Sequence, residues 1–182
     1  NPLPNVTFTA SDTAGCKPLC VTFSNTTANT NSLTWNYGDL NSSNSSPAVH
    51  CYADSGSYSV SLTVTDMNGC SNTLTKNNYI IVYPYPVAAF VATPAVTTLL
   101  SPTIQFTDLS QNASTWNWNF GDQLNAYSSV QHPSYTYSDT GSYGITLIVT
   151  NNYGCSDTAY ESIRILPDIS FYVPNTFTPN GD

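Results

Sequence analysis

The sequence predicts an all-β chain folded as two consecutive sandwiches, and three observations predict it. Apolar residues alternate with hydroxylic ones at a period of two through most of the 182 residues, and no stretch carries a helical period. Turn residues punctuate the alternation at short, regular intervals. One five-residue stretch occurs twice, as Trp35-Asn36-Tyr37-Gly38-Asp39 and Trp118-Asn119-Phe120-Gly121-Asp122. The two aromatics stand two apart, so on a strand they share a face. Gly-Asp then stops the strand, because Gly takes positive φ cheaply and Asp caps turns.

The elements follow in the same order in both halves. A first strand is expected from Val6 to Ala10 and from Val87 to Val91. A second carries Leu19, Val21 and Phe23, matched by Ile104 and Phe106. The Trp strand is third. A polar loop and a short strand ending at Tyr52 or Tyr137 come next. Tyr58-Ser59-Val60-Ser61-Leu62-Thr63-Val64 and Tyr143-Gly144-Ile145-Thr146-Leu147-Ile148-Val149 put apolar side chains on one face. Met67-Asn68-Gly69 and Asn152-Tyr153-Gly154 read as hairpin turns leading to the last strands, at Ile80-Ile81-Val82 and Ile163-Arg164-Ile165. The Trp residues are 83 apart (118 − 35) and Thr65 and Thr150 are 85 apart (150 − 65), so a two-residue insertion falls in the loop after the second Trp strand.

Some seven short strands per half give a sandwich of the immunoglobulin type. Asp54-Ser55-Gly56-Ser57-Tyr58 and Asp139-Thr140-Gly141-Ser142-Tyr143 have the pattern of a tyrosine corner, whose hydroxyl bonds back to backbone. Antibody domains place a Cys two residues after that Tyr; Val60 and Ile145 stand there instead. Trp35, Tyr58, Trp118 and Tyr143 are therefore the expected structural core, with Asp39 and Asp122 as turn caps. The domains are expected at 1–84 and 85–167, joined by Tyr83-Pro84-Tyr85-Pro86, a short linker stiffened by its prolines. Residues 168–182 repeat nothing earlier.

Composition narrows the function. Charged residues make up 8% of the chain, well below the roughly one quarter usual for globular domains. Ser, Thr and Asn carry the polarity, which suits an exported protein. Net charge is −8 with three basic residues, Lys17, Lys76 and Arg164, which disfavours nucleic acid and anionic membrane surfaces alike. No apolar run is long enough to span a bilayer, so membrane insertion is not expected. Asn1 is not a natural start, so a fragment or processed chain is expected.

The order Trp-x-Phe/Tyr-Gly-Asp, then Pro and Tyr, then Gly-x-Tyr-x-Val-x-Leu-x-Val resembles the PKD (polycystic kidney disease) domain, twice over, across roughly residues 4 to 166. Tyr37 replaces the usual Phe, and Leu40 and Gln123 stand where a Gly is common. The tail Tyr172-Val173-Pro174-Asn175-Thr176-Phe177-Thr178-Pro179-Asn180-Gly181-Asp182 resembles the opening of the gliding-motility-associated C-terminal domain of Bacteroidota, a type B sorting signal for type IX secretion. The resemblance implies export across the outer membrane and display on the cell surface. It also implies partners among neighbouring repeats of the same protein and the type IX secretion and attachment machinery, and a spacer, adhesion or gliding-related role. The alternative is a carbohydrate- or protein-binding accessory module of a secreted hydrolase.

Five cysteines in an exported chain point to disulfides. Cys20 and Cys51 oppose the parity of their apolar neighbours, on strands that neighbour one another in an immunoglobulin-like order. Cys20–Cys51 is therefore expected as a cross-strand staple on the outer face. Cys70 and Cys155 occupy equivalent turns, and Cys16 is expected at the opposite end of its own domain. Cys16–Cys155 is then the expected second bond, with Cys70 left for an upstream repeat; Cys16–Cys70 is the rival, and free thiols at Cys70 and Cys155 the third option. Leu99-Leu100 are expected where the first half has Cys16.

Catalysis finds little support. His50 and His132 read as strand-end residues, and no nucleophile–base set or phosphate loop appears. No cofactor is expected. Calcium is the metal that Asp39, Asp54, Asp66, Asp122 and Asp139 would suit, against the simpler reading that they hold turns. Asp12-Thr13-Ala14 and Asp157-Thr158-Ala159 resemble the O-glycosylation motif of Bacteroidota, which makes Thr13 and Thr158 candidate sites. Tyr83, Tyr85 and Tyr127 are candidate contacts to glycans or protein ligands.

Overall fold

The computed structural model describes residues 2–124 and 126–168, and all regular structure within them is β-strand. The sorting-domain expectation for the tail lies outside the described residues. Eight strands form from the first half: β1 (Phe8–Ala10), β2 (Ala14–Cys16), β3 (Leu19–Asn25), β4 (Thr30–Asn36), β5 (Ser42–Ser43), β6 (Ala48–Tyr52), β7 (Gly56–Asp66) and β8 (Ser71–Tyr83). Eight follow from the second: β9 (Phe90–Thr93), β10 (Val96–Thr98), β11 (Thr103–Asp108), β12 (Thr115–Asn119), β13 (Tyr127–Ser128), β14 (Ser134–Thr136), β15 (Gly141–Thr150) and β16 (Ser156–Leu166). By contact the chain divides into two compact units. Among the described residues, the first runs to Val87 and takes in 112–114 and 150–157; the second holds 88–111, 115–149 and 158–168.

The strand sets of both halves form a three-stranded and a five-stranded sheet. The first has β1-β3-β6 against β2-β8-β7-β4-β5, and the second β14-β11-β9 against β10-β16-β15-β12-β13. These are the immunoglobulin-like sandwiches the alternation predicts. The inward residues of β7, Val60, Leu62 and Val64, are fully buried, as are Ile145, Leu147 and Val149 of β15. Trp35 and Trp118 are buried at the centre of their cores, and their indole N–H groups donate to Ser45 O at 3.0 Å and Val130 O at 2.9 Å. A buried indole N–H without a partner would be costly, so the loop carbonyl is part of the core design.

Three expectations need correction. The first strands are shorter and later than the apolar pattern suggests. Their partners stop early: Asn25 Oδ1 accepts from Thr27 N at 2.9 Å and Asp108 Oδ1 from Ser110 N at 3.0 Å, turning β3 and β11 out of the ladder. Second, β2 and β10 pair in parallel with the ends of β8 and β16, in the registers Cys16↔Tyr83 and Thr98↔Leu166. Thr98, not Leu99-Leu100, therefore holds the Cys16 position. Third, Tyr58 and Tyr143 are half-buried, not central. They pack on the buried rings of Tyr52 and Tyr137, at centroid distances of 4.4 Å and 4.2 Å. Their hydroxyls donate to Asp54 O and Asp139 O, each at 2.8 Å, which is the tyrosine corner.

Candidate functional site

The chemistry-bearing side chains gather at the loop after each Trp strand. Gly38 (φ 83°) and Gly121 (φ 70°) turn the chain there. A Cβ at Gly38 would meet Ser59 O at 2.5 Å, and one at Gly121 would collide with Gly144 O, so only glycine fits. The turn delivers Asp39 and Asp122 to their caps. Asp39 Oδ1 accepts from Asn41 N at 3.1 Å, and Asp122 Oδ1 from Ala126 N at 3.0 Å. The ladder beneath resumes at Tyr37 N→Asn41 O and Phe120 N→Ala126 O, so the two extra residues lie between Asp122 and Ala126.

Each carboxylate has a second anchor that pattern reading missed. Asp39 Oδ2 meets His50 Nε2 at 2.7 Å, and the imidazole stacks on Tyr37 at 4.1 Å. In the second copy Tyr135 takes the place of His50, 85 residues on (135 − 50): its hydroxyl donates to Asp122 Oδ2 and its ring stacks on Phe120 at 4.5 Å. His50 is thus a mid-strand residue of β6 that ties loop to sheet, correcting its reading as a strand end. For Asp39, burial opposes ionisation, but hydrogen bonds from Asn41 and His50 outweigh it and hold the carboxyl below its ordinary pKa. The Ala126 N–H, then the Tyr135 hydroxyl, do the same for Asp122. The Asp122 hydrogen bond pushes Tyr135 up to about 12.

His132 belongs to a different cluster. Its Nδ1 accepts from Asp108 N at 3.0 Å. The buried Asp108 Oδ2 accepts from Trp116 Nε1 at 2.8 Å and Gln131 Nε2 at 3.0 Å. Burial raises the Asp108 pKa, yet the donors from Ser110, Gln131 and Trp116 bring the net below the usual carboxylate value. The counterpart, Asn25, is neutral and bonds Thr30 Oγ1 at 2.9 Å. Neither Asp108 nor Trp116 stood out in the sequence; the only signal was an acid at the end of an alternating strand.

Cys20 and Cys51 are Cα partners across β3 and β6, and their Sγ atoms are bonded at 1.99 Å. Cys16 is bonded to Cys155 at 1.97 Å, with a Cα separation of 5.7 Å, inside the first compact unit. Cys70 is a free thiol. Thr13 is exposed and Thr158 half-buried. Tyr83 stacks on Tyr153 at 4.1 Å, while Tyr85 and Tyr127 are 42% and 62% exposed. Among the described residues no three His, Cys, Asp or Glu side chains converge as a metal site. An open cavity of about 440 Å³ is lined by Trp116, Asn117, Tyr127, Ser128 and Ser129. Aromatic, amide and hydroxyl groups of this kind can bind a polar, uncharged ligand face.

A family model described as the PKD domain matches residues 1–82 and again residues 83–165. Among solved structures, the PKD1 domain of the Vibrio cholerae metalloprotease PrtV is 28% identical, covering 44% of this chain and 96% of its own, with a TM-score of 0.39. The PKD1 domain of Vibrio anguillarum Epp is 23% identical over 46% of this chain and 96% of its own, with a TM-score of 0.40. A C-terminal 282-residue fragment of intimin, solved with the intimin-binding domain of the translocated intimin receptor, is similar in fold. It is 9% identical over 87% of this chain and 64% of its own, with a TM-score of 0.51.

Proposed function

The chain belongs to the PKD domain family across both of its halves, and on that premise we propose that it is a structural spacer within an exported cell-surface adhesion protein. Domains of this family are structural or binding accessory modules, typically without catalysis of their own. One observation carries the reading: the acids at the ends of the Trp strands and of β11, with the imidazoles beside them, are committed to holding loops on sheets. Asp39 is held by Asn41 and His50, Asp122 by Ala126 and Tyr135, and Asp108 by Ser110, Trp116 and Gln131. The exposed strand surface is hydroxylic, with pairs such as Thr63–Thr73 and Thr65–Ser71 at 2.8 Å. Disulfides suit the oxidising exterior of a cell. The tail's likeness to a sorting domain supports type IX export and a gliding-related surface assembly.

A swap experiment tests this. Replacing both repeats in the parent surface protein by two unrelated sandwiches of equal length should preserve display and adhesion. Loss of adhesion with display intact would favour a specific binding face. That second reading, a glycan- or protein-binding accessory module, draws its support from the cavity beside Trp116 and Tyr127. Glycan-array binding abolished by Tyr127→Ala would establish it.

A further inference from the structure

The two halves present a cysteine at the same place, and one of the two already has a sulfur partner. Cys155 follows the turn 151–154 and is bonded to Cys16; Cys70 follows the turn 66–69 and is free. The turns match bond for bond. Asp66 Oδ1 accepts from Asn68 N at 2.8 Å and Cys70 N at 2.9 Å, and Asn151 Oδ1 accepts from Tyr153 N and Cys155 N, both at 3.0 Å. The flanking hydroxyl pairs, Thr65–Ser71 and Thr150–Ser156, are both 2.8 Å apart. The turn alone marks nothing; the bond carried by the equivalent cysteine does.

Surroundings separate the two thiols. Cys155 is 1% exposed, whereas Cys70 is partly accessible. The turn that carries Cys70 borders an open cavity of about 590 Å³, lined by Leu3, Pro4, Asn29, Asp66, Met67 and Asn68, with Met67 74% exposed. On this chain the second half offers Cys70 no matching thiol, because Thr98 holds the Cys16 position. The existing bond also has a direction: the Cys16-type cysteine comes from the earlier repeat and the turn cysteine from the later one.

We propose that Cys70 is the acceptor position for a disulfide to the Cys16-position cysteine of a further repeat of this kind, lying before Asn1 in the same polypeptide. It rests on the reading that the two repeats belong to a longer array. Each thiol gives up its proton, and the pair gives up two electrons. A protein dithiol oxidase in its disulfide form, or glutathione disulfide, accepts them and leaves as two thiols.

The test uses the chain itself in a glutathione redox buffer. Wild-type chain, with Cys70 free, is mixed with the Cys70→Ser/Cys155→Ser variant, in which Cys16 alone is free. A Cys16–Cys70 linked heterodimer should exceed the Cys70–Cys70 dimer of wild type by about tenfold, since docking raises the local thiol concentration. Equal yields, or Cys70 recovered only as its glutathione adduct, overturn the proposal. If the variant does not fold, non-reducing peptide mapping of the polypeptide from its natural source decides. Cys70 joined to an upstream cysteine-bearing repeat supports the proposal; Cys70 recovered as a free thiol overturns it. A parent reading frame without an upstream repeat sinks the array reading, while the heterodimer measures the pairing chemistry separately.

Discussion

Leu40 has a φ of 74° and a fully exposed side chain, at the position where the family resemblance leads one to expect glycine. A left-handed Leu costs about 1–2 kcal/mol of local strain with no packing to offset it. Leu40→Gly should therefore stabilise the first unit by up to about 1 kcal/mol in urea denaturation, after the extra backbone entropy of Gly is subtracted. Glycines separate in the same way. Gly121 and Gly154 both have positive φ, but a Cβ at Gly154 meets nothing within 4 Å. Gly154→Ala should cost about 1 kcal/mol, and Gly121→Ala about 1–3 kcal/mol more, because Gly144 O stands in the way. Acid sensitivity belongs at this scale too. The folded pKa of Asp39 lies below its unfolded value of about 3.9, so its stabilisation is present above that pH and is lost as pH falls through the folded value. Thermal melts between about pH 6 and pH 3 should fall less steeply for Asp39→Asn than for wild type; parallel curves would refute the assignment.

At the scale of the element, β3 and β6 are joined by a ladder from Leu19↔Tyr52 to Phe23↔Ala48, with the Cys20–Cys51 bond on its outer face. The bond closes a loop of 31 residues. Removing it by Cys20→Ala/Cys51→Ala should cost about 2–4 kcal/mol in chemical denaturation, chiefly by freeing the unfolded chain. The inner face should hold its fold, since Val21 and Phe23 keep their burial. These strands were legible in the sequence because alternation reports which face is buried. Strands β2 and β10 were not. Three residues paired in parallel at a sheet edge carry no periodic signal, and their partner strand is more than sixty positions away in chain order.

For the whole molecule, net charge of −8 with three cations predicts no retention on a heparin column at neutral pH. The Asp39, Asp66 and Asp122 carboxylates are held by protein donors, and a calcium titration should leave the melting temperature unmoved; a clear rise would show a cation site. The candidate site was half legible. The repeated Gly-Asp ends located Asp39 and Asp122, and the caps follow from the chemistry of a carboxylate after a left-handed residue. Their second anchors, His50 and Tyr135, required the fold, because only the packing of β6 and β14 brings those rings over Tyr37 and Phe120.

By itself the sequence determined the all-β class, the duplication, the buried faces and the tyrosine corners, because each depends on period, composition or spacing within a few residues. Tertiary structure alone decided which acid meets which ring, where Trp116 anchors, and that Thr98 stands where a cysteine stands in the first half. Those outcomes depend on register between strands far apart in the chain, and register is set by the packing of whole sheets.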